Sequence, residues 1–117
     1  MTRRKASPKT ARARRERLFR DLPDLRKILR GSLVTRFRRC GKPGCHCAQK
    51  DDPGHGPAYY LVVTVRPGET VQVYVPKDYK DEVLRWIENF QLARKQLEEV
   101  SSINRQLLRQ GSLFDGG

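Results

Sequence analysis

This 117-residue chain has three cysteines and two histidines, and all five lie between Cys40 and His55. Thiols and imidazoles gathered so tightly are first of all metal ligands. Cys45 and Cys47 are two apart, so an extended segment sends both side chains off the same face while His46 points the other way. Cys40 must then fold back onto them, and Gly41, Pro43 and Gly44 suit that reversal. His55 is the most economical fourth ligand, although His46 is not excluded by spacing alone. Cys40, Cys45, Cys47 and His55 would give zinc a closed tetrahedral shell with no open position for substrate, which is a structural site. The same residues admit two other readings. One is three reduced thiols in a turn beside a bystander histidine. The other is a redox-active Cys45–Cys47 bridge, but no thioredoxin-like strand and helix surround it. A disulfide framework is not expected, because three cysteines leave one unpaired.

A site of this kind suits a small chain that needs a staple. The apolar fraction is 37%, modest for building a core at this length. The net charge is +12, and residues 1–50 carry a balance of +14 against −2 for residues 51–117. One end therefore presents a positive field to a polyanion, for which nucleic acid, DNA or RNA, is the expected identity. Arg3, Arg4, Arg12, Arg14, Arg15 and Arg17 form one candidate contact set; Arg36, Arg38, Arg39 and Lys42 form a second beside the metal. The longest apolar run, residues 59–65, is too short to cross a bilayer, and the chain is expected to be cytoplasmic, with no membrane partner.

The elements that must position these residues make an α+β fold. Residues 1–10 read as a disordered basic arm. Residues 11–30 form an arginine-rich helical segment, which Pro23 divides from a second short helix over residues 24–29. Residues 31–110 form the zinc-knuckle domain, and residues 111–117 a flexible tail. Within the domain, residues 32–39 alternate as a strand with Val34, Arg36 and Arg38 on one face. Residues 58–66 and 70–75 form a hairpin that places Val71, Val73 and Val75 together, completing a small three-stranded antiparallel sheet. Tyr59 and Tyr60 could stack on unpaired bases, though tyrosines in a strand are more often packed.

One long helix follows, capped by Asp78, running to about Arg109 and stopping at Gly111. Counting in sevens along it puts Val83, Phe90, Leu97 and Asn104 at one seam position, and Trp86, Ala93, Val100 and Leu107 at the other. Two uses fit that seam: packing along the N-terminal helical segment of the same chain, or a coiled coil joining a homodimer or another protein partner.

The runs Arg39-Cys40-Gly41-Lys42-Pro43-Gly44-Cys45-His46-Cys47-Ala48 and His55-Gly56-Pro57-Ala58-Tyr59-Tyr60-Leu61, with Tyr74-Val75-Pro76-Lys77 and Trp86-Ile87-Glu88-Asn89-Phe90, resemble a small prokaryotic family of unknown function. Its members are described mostly as hypothetical or transposase-associated, and the resemblance covers roughly residues 29–108. It implies that Cys40, Cys45, Cys47 and His55 are the recurrent knuckle positions and that His46 is variable. Taken together, the residues predict a non-catalytic, zinc-stapled nucleic-acid-binding accessory protein. No nucleophile triad, phosphate-binding glycine loop or carboxylate pair suggests an enzyme. The alternative is a protein-protein adaptor that docks or dimerises through its C-terminal helix.

Overall fold

The computed structural model describes residues 7–114. Helix α1 is Pro8–Arg20, followed by strands β1 (Ser32–Arg38), β2 (His55–Arg66) and β3 (Glu69–Val75) and by helix α2 (Lys80–Arg109). A 3-10 turn, His46–Ala48, lies between β1 and β2, and another, Lys77–Tyr79, precedes α2. The α+β class with a three-stranded antiparallel sheet is therefore as expected. No described helix is long and apolar enough to cross a membrane. The chain divides into two units: Leu29–Glu88, and the flanking segments up to Ile28 and from Asn89 onward.

The sheet unit has strand order β1-β2-β3, each neighbour antiparallel. Strands β2 and β3 form a hairpin in which Tyr59 faces Val75, Tyr60 faces Tyr74 and Leu61 faces Val73. Strand β1 adds on the other side, with Val34 opposite Tyr60 and Arg36 opposite Ala58. Because successive side chains alternate across a sheet, residues 59, 61 and 75 share one face. That face is covered by the start of α2: Leu61, Val75 and Ile87 are buried, with Leu29, Leu33, Tyr59 and Val83 packed around them. Each such burial stabilises by about 1.5–3 kcal/mol. Val71 and Val73 share this face with Val75, as the alternation predicts, but both lie beyond the cover of α2 and stay exposed. The opposite face, with Arg36, Tyr60 and Tyr74, has no helix of this unit over it.

In the helical unit, Ser7 caps α1 by accepting a hydrogen bond from the Thr10 N–H (3.2 Å), and Pro8 occupies the first turn. Helix α1 thus starts before residue 11, and the expected arm loses residues 8–10 to it and Ser7 to its cap; residues 1–6, with Arg3 and Arg4, lie outside the described residues. No second helix forms over residues 24–29. The Asp24 carboxylate instead accepts the Arg26 N–H at 3.0 Å and pairs with its guanidinium, a local alternative that competes with helical hydrogen bonding. The rest of α2 runs antiparallel to α1: Asp21 bonds near Gln96 and Arg12 near Ser112. Ala11, Ile103 and Leu107 form the core between them, with Leu18 and Leu113 against it.

Half of the predicted seam is in place. Ala93 and Leu107 are buried and Val100 is half-buried, but Leu97 is 54% exposed while its neighbour Gln96 is buried. The second column of the seam is therefore Gln96 and Ile103, one residue earlier than Leu97 and Asn104. Half of the Gln96 amide is satisfied there: its Nε2 donates to the Asp21 carbonyl at 3.1 Å, while its Oε1 is buried without a hydrogen-bond partner, a cost that the single bond offsets in part. Helix α2 ends on Gly111 at φ +69°, with the Ser112 N–H reaching the Leu107 carbonyl at 2.8 Å, a Schellman turn. Residues 111–114 accordingly continue the fold, with Leu113 packed and Phe114 exposed.

Candidate metal centre

The loop between β1 and β2 carries the three cysteines, and His55, the first residue of β2, completes the candidate metal-ligand set. Leaving β1, the chain turns through Gly41 at φ +81°, a conformation that costs glycine little. The Cys45 N–H then closes on the Lys42 carbonyl at 3.1 Å. Cys45 is extended, but Cys47 sits inside the 3-10 turn, so the two thiols converge by tight winding rather than by strand alternation. The loop closes where Gly54, at φ +100°, packs on the end of β1. A β-carbon there would lie 2.8 Å from the Arg38 carbonyl oxygen.

The ligand atoms of Cys40, Cys45, Cys47 and His55 all lie within 4.8 Å of one another. The Sγ atoms of Cys40 and Cys47 are 3.5 Å apart, and Cys45 Sγ is 3.1 Å from His55 Nε2. A tetrahedral ion with bonds of about 2.3 Å to sulfur and about 2.0 Å to nitrogen sets its donors about 3.5–3.8 Å apart. The four residues therefore fit one metal ion with small adjustments. The Cys40 thiol is held down to about 6 by the Lys42 main-chain N–H, then by hydrogen bonds from His55 and Cys47, so it is a thiolate at neutral pH. The Cys40 N–H favours the Cys47 thiolate, but burial and hydrogen bonding to the neighbouring thiols outweigh it and push that thiol up.

His46 turns away, as its position between the two cysteines implied. Its Nδ1 meets Asp52 Oδ2 at 2.9 Å, and its ring lies edge-on to His55 at 4.9 Å between centroids. The His46 contact, followed by the Gly54 N–H, holds the Asp52 carboxyl below its ordinary range. Asp52 also receives that Gly54 N–H at 2.8 Å, so it braces the loop leading to His55. Sequence reading passed over this role; an aspartate two residues before a glycine that closes a metal loop was the available signal.

The second set of basic residues divides. Arg39 is not free for a ligand: its guanidinium donates to the Gln49 and Asp52 carbonyls at 3.2 and 2.6 Å. Arg36 lies over the Tyr60 ring at 5.9 Å, Arg38 lines the same face, and both are exposed, as is Lys42. The N-terminal set divides likewise. Arg12, Arg14 and Arg15 bond to the Ser112 carbonyl, Glu99 and Asn104 at 3.1, 3.1 and 2.8 Å, whereas Arg17 is exposed. Of the helix seam, Val83 packs against the sheet core, while Trp86 and Phe90 are half-buried.

A family model described as Domain of unknown function (DUF6788) matches residues 9–85, well over half of the chain, and the chain belongs to that family. The expected resemblance to a family of unknown function agrees with this, but the matched stretch begins near residue 9 instead of 29. All but the first residue of helix α1 and the whole metal loop fall within it, and most of α2 falls outside. No curated protein and no solved structure matches the chain.

Proposed function

We propose that this DUF6788 protein is a zinc-stapled, non-catalytic accessory protein that binds nucleic acid mainly through phosphate contacts. Zinc is the ion that three thiolates and one imidazole favour; magnesium and calcium take oxygen donors. Four protein ligands complete its coordination, which supports a structural role over a catalytic one. The observation that carries the binding reading is the charge left over around the knuckle. Arg36, Arg38 and Lys42 are exposed, and none takes part in the ion pairs found among the described residues. Cations that the fold leaves unneutralised on one surface suit a polyanion.

The test is a fluorescence-anisotropy titration of zinc-loaded protein with duplex DNA, single-stranded DNA and structured RNA at about 50 mM salt, where phosphate contacts are strong. Binding is expected, and replacing Arg36 and Arg38 by glutamine should lower the slope of log affinity against log salt by about two. Absence of binding to all three overturns the reading. The adaptor function then takes its place, supported by a groove in the helical unit where Leu25 and Leu97, both more than half exposed, flank Phe90.

A further inference from the structure

We infer that the uncovered face of the sheet binds single-stranded nucleic acid by stacking unpaired bases on Tyr74, with Tyr60 beside it and Arg36 and Arg38 meeting the phosphates. This rests on the nucleic-acid reading and narrows it to strands whose bases are accessible.

The argument begins with register. Tyr60 and Tyr74 are directly opposite on β2 and β3, so both rings rise from the same face, away from buried Leu61 and Val75. They meet edge to face, with centroids 5.8 Å apart and an interplanar angle of 71°. Tyr74 is 59% exposed, which leaves a large aromatic surface in water with nothing of its own unit upon it. Beside the pair, Arg36 stands over Tyr60, and an open cleft of about 430 Å³ is lined by Arg36, Phe37, Arg38, His55, Tyr60 and Tyr74 among others. None of the residues lining it is acidic. The face offers aromatic rings flanked by guanidinium groups, and that combination recognises bases joined by phosphates.

Strand type follows from geometry. In a duplex the base faces are consumed by their own stack, and a shallow sheet surface cannot reach them. A single strand can splay its bases onto a sheet that presents aromatic side chains, as several RNA-binding modules do. Tyr59, the other tyrosine singled out beside Tyr60, is excluded: it belongs to the core face, with the Lys80 ammonium 4.9 Å from its ring centroid. His55 joins the metal loop to this cleft, so the ion that orders the loop also fixes one wall of the face.

Anisotropy titrations of the zinc-loaded full chain with short oligo-dT, oligo-rU and duplex DNA test this. The unpaired strands should bind more tightly than the duplex. Tyr74→Ala should weaken them by about 5- to 100-fold while leaving duplex affinity unchanged, and Tyr74→Trp should restore binding and show quenched indole fluorescence on adding the oligonucleotide. Metal content and thermal melting confirm that each variant folds. If all nucleic acids bind alike and Tyr74→Ala changes none of them, the stacking face is wrong while the phosphate-binding reading stands. If none binds, both fall together.

Discussion

Arg15 and Arg36 carry the same guanidinium, yet they belong to regions that use charge in opposite ways. In the helical unit, Arg12, Arg14 and Arg15 reach acceptors on or just beyond α2, and they tie the helix pair together around a small core built on Ala11, Ile103 and Leu107. In the sheet unit, the apolar core of Leu61, Val75 and Ile87 is also small, but the proposed staple is the metal loop, and Arg36 and Arg38 remain outside the fold. A small core needs reinforcement in either unit. What differs is whether arginine supplies it, and therefore whether arginine is left for a ligand.

Removing the metal should separate the two regions most strongly. Structural zinc contributes on the order of 10 kcal/mol in small metal-dependent domains. Cys47→Ser should take the metal-to-protein ratio from near one to near zero and lower the melting temperature sharply, whereas His46→Ala should keep the metal. Elemental analysis with thermal melting checks both, and equal metal retention in the two variants would break the distinction drawn between the histidines.

The helical unit should respond to packing. Leu107 is fully buried, and Leu107→Ala is expected to cost about 2–5 kcal/mol. Leu97→Ala, at an exposed position, should stay within about 0.5 kcal/mol. Urea unfolding of the two variants measures this directly. Similar losses would restore the heptad seam that places both leucines at equivalent depth.

The smallest effect sharpens the arginine contrast itself. Arg15→Ala forfeits a hydrogen bond to Asn104, worth about 1 kcal/mol; Arg36→Ala should leave stability within about 0.5 kcal/mol and act on binding alone. Equal effects on unfolding would show that both arginines serve the fold.

The convergence of Cys40, Cys45, Cys47 and His55 was legible because ligand chemistry is concentrated in residue type: few side chains hold soft metals, and this chain keeps all its cysteines and histidines together. The hairpin and the long helix were legible because their periodicities run over enough residues to be distinct. The partnership of α1 with α2 was legible only in part. Hydropathy steered the seam to Leu97 because a glutamine does not look like a core residue, and the one hydrogen bond that Gln96 makes inside goes to a carbonyl at Asp21, distant in sequence. Tyr74 escaped notice for a related reason. The valines on either side drew attention to one face of β3, and the significance of the other face depends on Tyr60 lying across from it. Likewise, charge density marks Arg39 and Arg38 alike, and only the loop carbonyls tell them apart.

Arg39 spans the Gln49 and Asp52 carbonyls, and in doing so it acts as a reversible cross-link across the segment that delivers His55. A loop whose ends are already tied has surrendered much of its wandering before coordination begins. The last ligand is thereby kept near the three sulfurs instead of being gathered from a flexible chain. The two arms of the knuckle are consequently unequal in what variation they admit. Gly44 faces open space, while Gly54 is pressed against the Arg38 backbone, so a side chain can be added at Gly44 at a cost far below that at Gly54, where the guanidinium tie and the crowded glycine leave no slack.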